Sequence, residues 1–210
     1  MAIIARTYAD RETARRRRGE RAVVHPPDHP ERTGPGRTGR ERTGPERTGP
    51  ERTGRGSGKR VLVAGVGNVF CADDGFGVAV IHRLTRDPLP ALVDLRDYGI
   101  RGRHLAAQHL DGYELVVLVD SLHRDGPPGT LYVVEAADDA AGAGPYPPPD
   151  GVLALVPAIH RQVARVVVVG CEPGDIGTGI GLSPAVENAV GPAAKLVLDI
   201  VTRAHRSWSG

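Results

Sequence analysis

The sequence is poor in the features that mark several classes of protein. Two cysteines in 210 residues, Cys71 and Cys171, provide no disulfide framework and no CxxC pair. No stretch approaches the roughly 18 consecutive apolar residues of a transmembrane helix. Met1 to Asp10 lacks the apolar run of about 7–15 residues that a secretory signal needs. We therefore expect a cytoplasmic protein that is not embedded in a membrane.

The charge is distributed unevenly along the chain. Residues 1–58 hold 14 arginines against 8 acidic residues, a net charge of +6, which leaves −4 for the rest. From Glu31 to Arg55 the sequence repeats five-residue units such as ERTGP. Such low-complexity sequence cannot bury enough apolar surface to form a core. We predict a disordered Arg/Gly/Pro-rich extension over 1–58, dispensable or alternatively an arm for RNA or an acidic partner, and a folded domain over 59–205. Because the basic charge belongs to the extension, we expect no nucleic-acid binding by the domain.

Strand and helix patterns alternate after Lys59. Short apolar runs rich in β-branched residues predict five strands, Val61–Gly67, Leu92–Tyr98, Glu114–Ser121, Gly129–Glu135 and Arg165–Cys171. Apolar residues at helical spacing predict helices over Asp74–Leu84, Gly102–Leu110, Gly151–Ile159 (interrupted by Pro157) and Ser183 to about Arg203, with Ser183 as the N-cap. Residues 136–150 read as a loop.

The alternation of strands and helices predicts an α/β three-layer sandwich, with a mostly parallel sheet of about five strands and helices on both faces. The Gly-Pro-Pro-Gly turn after the third strand suits an antiparallel neighbour.

A glycine-rich loop with two adjacent acids follows the first predicted strand. It reads GVGNVFCADDGFG from Gly65 to Gly77, at the strand end where open α/β sheets usually bind ligands. A dinucleotide-binding loop would have a third glycine at position 70, where Phe70 stands. In isolation, Asp73 suits a helix cap and Asp74 suits a favourable contact with the helix dipole.

A third acid, Asp120, ends the third predicted strand after five apolar residues. Burying a carboxylate there is costly without a partner or a cation. The alternative is an acid that accepts hydrogen bonds from backbone N–H groups at the strand end. Because the carboxyl ends of parallel strands meet at one sheet edge, Asp74 and Asp120 are expected to share a crevice.

Five elements in the same order resemble the hydrogenase maturation endopeptidases. The glycine loop matches that family's opening motif, GxGN followed by four residues, D, then E or D, then G. Tyr98 stands where the family usually has glycine in its DGG[TI]xG segment. The other elements follow in order, with Asp97–Gly102 after the second strand, Pro128–Thr130 before the fourth, Gly170–Pro173 after the fifth and Gly181–Val186 at the last helix.

The resemblance implies a metal-recognising, aspartic-type endopeptidase. Its expected partner is the precursor of a [NiFe]-hydrogenase large subunit, from which it removes the C-terminal extension after nickel insertion. By resemblance, Asp74 and Asp120 are ligands of the nickel carried by the substrate and the catalytic carboxylates. We expect a monomer.

The resemblance leaves one family element unmatched, the histidine that is the third metal ligand. Its expected place is near Pro145, where the sequence has no histidine. His123, three residues after Asp120, and His160 are the candidate substitutes; we assign His123. His82, His104 and His109 are expected on helix surfaces. Two carboxylates without an imidazole would suit a hard divalent cation such as Mg²⁺ better than nickel.

Two alternative functions stay open at this point. A family member without its histidine would be a catalytically impaired binding or assembly protein. A nucleotide-binding α/β protein would use the Gly65–Gly77 loop, although the acidic pair would repel phosphates. No GxSxG, HExxH or P-loop motif occurs. Cys71 and Cys171 have no basic neighbour in sequence and are expected to be small buried side chains.

Overall fold

The computed structural model describes residues 3–7, 58–136 and 151–209. One sheet contains six strands, β1 Ile3–Thr7, β2 Arg60–Val66, β3 Val93–Gly99, β4 Tyr113–Ser121, β5 Leu131–Ala136 and β6 Arg165–Cys171. Their order across the sheet is β1-β5-β6-β4-β2-β3. Strands β2, β3, β4 and β6 are parallel, β5 is antiparallel to β6, and β1 is antiparallel to β5. The predicted mostly parallel sheet is therefore confirmed.

Strand β1 lies in the segment for which the sequence analysis expected no folded structure. Its backbone pairs with β5 from Ile3 opposite Ala136 to Thr7 opposite Tyr132. A five-residue strand whose partner is more than a hundred residues away gives little local signal, so the sheet has one strand more than expected. Residues 8–57 and 137–150 lie outside the described residues. The domain boundary near residue 58 and most of the loop over 136–150 accordingly stay predictions.

The antiparallel strand β5 pairs with a different neighbour from the one that its turn suggested. The turn after β4 favours pairing of β5 with β4, but β6 lies between these two strands. The connection passes the end of β6, where the Gly129 N–H donates to the Glu172 carbonyl oxygen at 2.8 Å. The connection over residues 122–130 is long enough to pass the end of β6, so the turn within it does not make β5 a neighbour of β4.

The helices are α1 Phe76–Leu84, α2 Gly102–Ala107, α3 Val156–His160 and α4 Pro184–Trp208, with 3-10 turns at Ala72–Gly75 and Gly151–Leu155. The first predicted helix thus begins as a 3-10 turn, and the last one ends five residues later than expected. Pro157 does not interrupt a helix; it lies in the first turn of α3, where its missing N–H costs nothing. Of the described helices, none combines the length and the apolar character needed to cross a lipid bilayer.

The sheet is buried on both faces, as its continuous apolar runs predicted. Alternate residues of β2, β4 and β6 face α1 and α4 on one side and α2, α3 and the second 3-10 turn on the other. Val117 of β4, for example, belongs to the first cluster and Val116 to the second, and both are fully buried. The three-layer sandwich is confirmed.

The strand order creates a crevice between β2 and β4. From β2 the chain crosses through α1 to β3 on one side, and from β3 it crosses through α2 to β4 on the other side of β2. Helix α1, which follows β2, packs on one face of the sheet, and helix α3, which follows β4 and β5, packs on the other face. The carboxyl ends of β2 and β4 therefore lie side by side at the point where the connections diverge to opposite faces. Such a switch point is where open α/β sheets bind ligands.

Candidate active site

The loop after β2, residues 67–75, holds Asp74 over this crevice. The Asn68 N–H donates to the Asp74 carbonyl oxygen at 3.1 Å and to its carboxylate Oδ2 at 2.8 Å. Gly67 has a φ of +133°, and a Cβ added there would lie 1.8 Å from the Asp74 carbonyl oxygen and 3.3 Å from Asp120 Oδ1. Only glycine fits between the two acids at this point. The glycine of the motif therefore sets the position of Asp74 close to Asp120.

A second close approach brings the start of α1 onto the sheet. A Cβ on Gly77 would lie 2.2 Å from the carbonyl oxygens of both Val66 and Val119. The first turn of α1 therefore rests directly on the last residues of β2 and β4. This contact explains the second glycine of the GFG sequence without any role in ligand binding.

Asp120 is the second-last residue of β4 and is almost completely buried, with 6% of its surface exposed. The Ser121 N–H donates to its Oδ1 at 2.8 Å. Burial, followed by repulsion from the Asp74 carboxylate, raises the pKa of Asp120 to about 7. A carboxyl group in such a site titrates near neutral pH, as groups that transfer protons often do.

Ser121 connects the two carboxylates. Its hydroxyl donates to Asp74 Oδ1 at 2.9 Å, while its backbone N–H donates to Asp120. Ser121 was not among the predicted site residues. Its position directly after Asp120 at a strand end is the only signal that could have identified it, because the partner carboxylate is 47 residues away.

A cavity of about 440 Å³ opens over the two acids. One wall carries Asp74, Asp120 and Asn68, and the opposite wall consists of residues after β3 and from the second 3-10 turn. The lining residues are Val66, Gly67, Asn68, Asp74, Gly99, Ile100, Gly102, Arg103, Asp120, Gly151, Val152, Ala154 and Leu155. Among these there is no Ser, Thr, Cys or Lys side chain, so the described lining offers carboxylates and no covalent nucleophile of those types.

Comparison with known proteins identifies the family. Residues 78–200 match the family model described as hydrogenase maturation protease. The hydrogenase expression/formation protein HoxM of Cupriavidus necator is 31% identical over 162 residues, 71% of this chain and 76% of that protein. The hydrogenase 2 maturation protease of Escherichia coli is 29% identical over 145 residues, 66% of this chain and 88% of that protein.

The chain belongs to the hydrogenase maturation proteases. A crystal structure of a hydrogenase 2 maturation peptidase from Thaumarchaeota archaeon SCGC_AB-539-E09 shares the fold, with a TM-score of 0.54 and 34% identity. The similarity covers 68% of this chain and 98% of that one. The resemblance drawn from the sequence motifs is confirmed, and neither an impaired binding protein nor a nucleotide-binding protein is favoured.

Asp73, the other acid of the protease motif, caps no helix. Its buried carboxylate accepts four hydrogen bonds from the loop after β6, from the N–H groups of Gly174 at 2.8 Å, Asp175 at 2.8 Å and Ser183 at 2.6 Å, and from the Ser183 hydroxyl at 2.9 Å. Burial alone would raise the pKa of Asp73, but these hydrogen bonds outweigh it and hold the pKa below its usual value. Ser183, the predicted cap of the last helix, makes no cap with its side chain because its hydroxyl donates to Asp73.

The histidine predicted as third metal ligand lies beside another acid. His123 Nδ1 is 3.1 Å from Glu172 Oε1, and His123 is not among the residues that line the cavity. In the described ranges, no group of three or more His, Cys, Asp or Glu side chains is arranged to hold a metal ion. Pro145, near which the resemblance predicts the family's histidine, lies outside those ranges. The role of His123 as a ligand stays a prediction.

Glu172 is a buried acid that the sequence analysis treated only as part of a motif. Its Oε2 accepts the Tyr132 hydroxyl and the Arg124 N–H, both at 2.8 Å. Burial would raise the pKa of Glu172, but the hydrogen bonds from Tyr132, Arg124 and Gly126, with the nearby His123, lower it. Glu172 therefore fixes the turn between β4 and β5 to the end of β6.

The two cysteines of this protease are not suited to nucleophilic attack. Cys171 is buried, and burial together with the nearby Asp73 and Glu172 raises the pKa of its thiol to about 12. Cys71 is only partly buried, against expectation, and its Sγ accepts the Asn68 side-chain amide at 3.1 Å. Neither thiol lines the cavity.

Tyr98, which stands where the resemblance predicts a glycine, is buried, and its hydroxyl donates to Gln108 at 2.8 Å.

Proposed function

We propose that this chain is an endopeptidase that removes the C-terminal extension of a [NiFe]-hydrogenase large-subunit precursor after nickel insertion. Membership of the hydrogenase maturation proteases supports the reaction class. The observation that carries the proposal is the pair Asp74 and Asp120 on one wall of a single cavity, joined through Ser121. The precursor is the proposed partner, and its nickel is part of the substrate.

The donor set of the cavity fits a divalent cation. Two carboxylates line it, and the pKa of Asp120 is raised by burial and by repulsion from Asp74. A cation would favour the charged form of both acids, since an opposite charge nearby lowers a carboxyl pKa. We propose that Asp74 and Asp120 bind the nickel of the precursor, or another divalent metal, with His123 as the predicted third ligand. A bound metal would polarise a carbonyl group or a water molecule.

The chain's own carboxylates support an aspartic-type hydrolysis. Burial beside Asp74 raises the pKa of Asp120 to about 7 when no cation is bound. A bound cation would keep Asp120 in the ionised form that a general base needs to accept a proton from water. Asp74 is held by the Asn68 N–H on one oxygen and the Ser121 hydroxyl on the other. It is therefore oriented before a substrate arrives. In this scheme water attacks the scissile carbonyl and no acyl-enzyme forms.

The test is processing of a defined precursor. We expect the purified protein to shorten a nickel-loaded large-subunit precursor and to leave the nickel-free precursor intact. Electrophoresis detects the shortened product, and mass spectrometry identifies the bond that is cut. If another hydrogenase maturation protease processes the same precursor while this protein leaves it uncut at high enzyme concentration, the proposal is wrong.

A further inference from the structure

Two loops at the carboxyl edge of the sheet are joined into one surface beside the cavity. The first is the loop 67–75, and the second is the loop 172–183 after β6. The Gly179 N–H donates to the Phe70 carbonyl oxygen at 2.9 Å, and the Ala72 N–H donates to the Gly179 carbonyl oxygen at 2.9 Å. The Asp73 N–H donates in turn to the Asp175 carbonyl oxygen at 2.9 Å. We call this surface the two-loop platform.

The platform is held firmly for a pair of loops. Besides these backbone bonds, the Asp73 carboxylate binds the second loop through the four hydrogen bonds described above. Hydrogen bonds to a charged group are stronger than those between neutral groups. These hydrogen bonds hold the backbones of the two loops in place relative to each other.

Large apolar side chains project from the platform into solvent. Phe70 is 64% exposed, Ile176 is 53% exposed and Ile180 is 86% exposed. The parallel bridge between Cys71 and Gly179 places Phe70 and Ile180 on adjoining segments, each one residue from the bridge. The bond from the Asp73 N–H to Asp175 joins the segment that carries Ile176 to the same loop. Grouped apolar side chains on a surface indicate a site of protein contact.

These side chains lie outside the cavity. The lining includes Gly67, Asn68 and Asp74 of the first loop but none of residues 69–73, and it includes no residue of the second loop. A peptide segment that only fills the cavity would therefore not need them. A larger body that delivers a segment to Asp74 has to lie over the loop that carries both Asp74 and Phe70.

We infer that Phe70, Ile176 and Ile180 dock the folded body of the precursor protein, through an apolar patch beside the segment to be cut. The inference rests on the proposed function, because that function supplies a protein substrate for the cavity next to the platform. In this scheme the platform binds the surface of the precursor, and Asp74 and Asp120 bind its metal centre. Binding buries the three side chains, so their loss weakens binding without changing the acids.

The test measures binding as well as cleavage. Binding of nickel-loaded precursor is measured by calorimetry for the wild type, for Phe70→Ser/Ile180→Ser and for Ile176→Ser. The matched control is Leu92→Ser. Leu92 is an exposed large apolar residue just before β3, at the amino-terminal edge of the sheet, whereas the platform lies at the carboxyl-terminal edge. Thermal melting verifies that the variants are folded. We expect at least tenfold weaker binding, about 1.4 kcal/mol, for the double variant and no change for the control.

The outcomes separate this inference from the proposed function. Wild-type binding without cleavage contradicts the protease proposal, yet loss of binding in the double variant still supports the platform. Equal binding by the wild type and the double variant contradicts the docking role of the platform, as does absence of binding by the wild type. If the substitutions instead dissociate a dimer of this chain and leave precursor binding unchanged, the platform binds a second copy and the inference is wrong.

Discussion

At the scale of single residues, the site is built around one carboxyl group in an unfavourable environment. Asp120 is buried beside Asp74, and its carboxylate accepts a hydrogen bond from the N–H of Ser121. Asp120 is buried because it continues the apolar run of β4, which is covered on both faces of the sheet almost to its end. Such a group costs folding free energy that the rest of the fold has to supply, which is common at functional sites.

This cost predicts a specific pH dependence of stability. The pKa of Asp120 rises from 3.8 to about 7 on folding, so between these values the folded state binds the proton more tightly than the unfolded state. The contribution of Asp120 to the free energy of unfolding therefore falls as pH rises from about 4 to 7. The full cost above pH 7 is on the order of 4 kcal/mol, at 1.36 kcal/mol per pKa unit.

Asp120→Asn should remove this cost. We expect the variant to be more stable than the wild type at pH 8 and to differ little from it at pH 4, as measured by urea unfolding. Asp111→Asn, a substitution at an exposed acid, is the control and should change little at either pH. A variant that is no more stable than the wild type at pH 8 would show that Asp120 does not carry a buried negative charge.

Ser121 should act as a positioning residue. Ser121→Ala removes the hydroxyl that donates to Asp74 and leaves the N–H that donates to Asp120. Because a hydrogen bond to a charged group contributes about 1.5–3 kcal/mol, we expect precursor processing to fall by about tenfold or more. Ser121→Thr keeps the hydroxyl and should retain most of the rate. Equal rates for the alanine and threonine variants would remove Ser121 from the account.

At the scale of secondary-structure elements, the sequence predicts the strands that follow β1, and the helices, far better than it predicts the contacts between their loops. The runs that form β2, β4 and β6 are continuous and β-branched, so burial on both faces could be read directly. The Asp73 partners Gly174, Asp175 and Ser183 are 101 to 110 residues away in the chain. Local pattern therefore favoured a helix cap for Asp73, which is wrong because its carboxylate binds the loop after β6. Ser183 does occupy the N-cap position of α4, but its hydroxyl donates to Asp73 and not to the helix.

The loop connection itself can be tested at Asp73. Asp73→Asn replaces one acceptor oxygen by an amide that cannot accept, so N–H groups of the second loop lose their partner. Hydrogen bonds to a charged group contribute about 1.5–3 kcal/mol, and we expect the loss of the charge and of one acceptor oxygen to lower the free energy of unfolding by roughly 3 kcal/mol. Asp175→Asn, at an exposed acid of the same loop, should lose much less. A change below about 1 kcal/mol at Asp73, measured by urea unfolding, would contradict this structural role.

At the scale of the whole molecule, strand order determines where the site can form. Motifs in the sequence located Asp74 after β2 and Asp120 in β4, but only the order β3-β2-β4 places their strand ends side by side. The crevice was therefore predictable in outline from the parallel sheet, whereas Ser121, the cavity wall after β3 and the two-loop platform were not. These features depend on contacts between segments that no local pattern links.

The central claim is that Asp74 and Asp120 together carry the cleavage of the precursor. The most direct measurement is the rate of processing of nickel-loaded precursor by the wild type, Asp74→Asn, Asp120→Asn and the control Asp111→Asn. We expect each of the first two substitutions to lower the rate by about a hundredfold or more, since proton transfer by a positioned group contributes about 10²–10⁴-fold. The control should stay within about twofold of the wild type. Processing at the wild-type rate by either cavity variant, with its fold intact, would contradict the account.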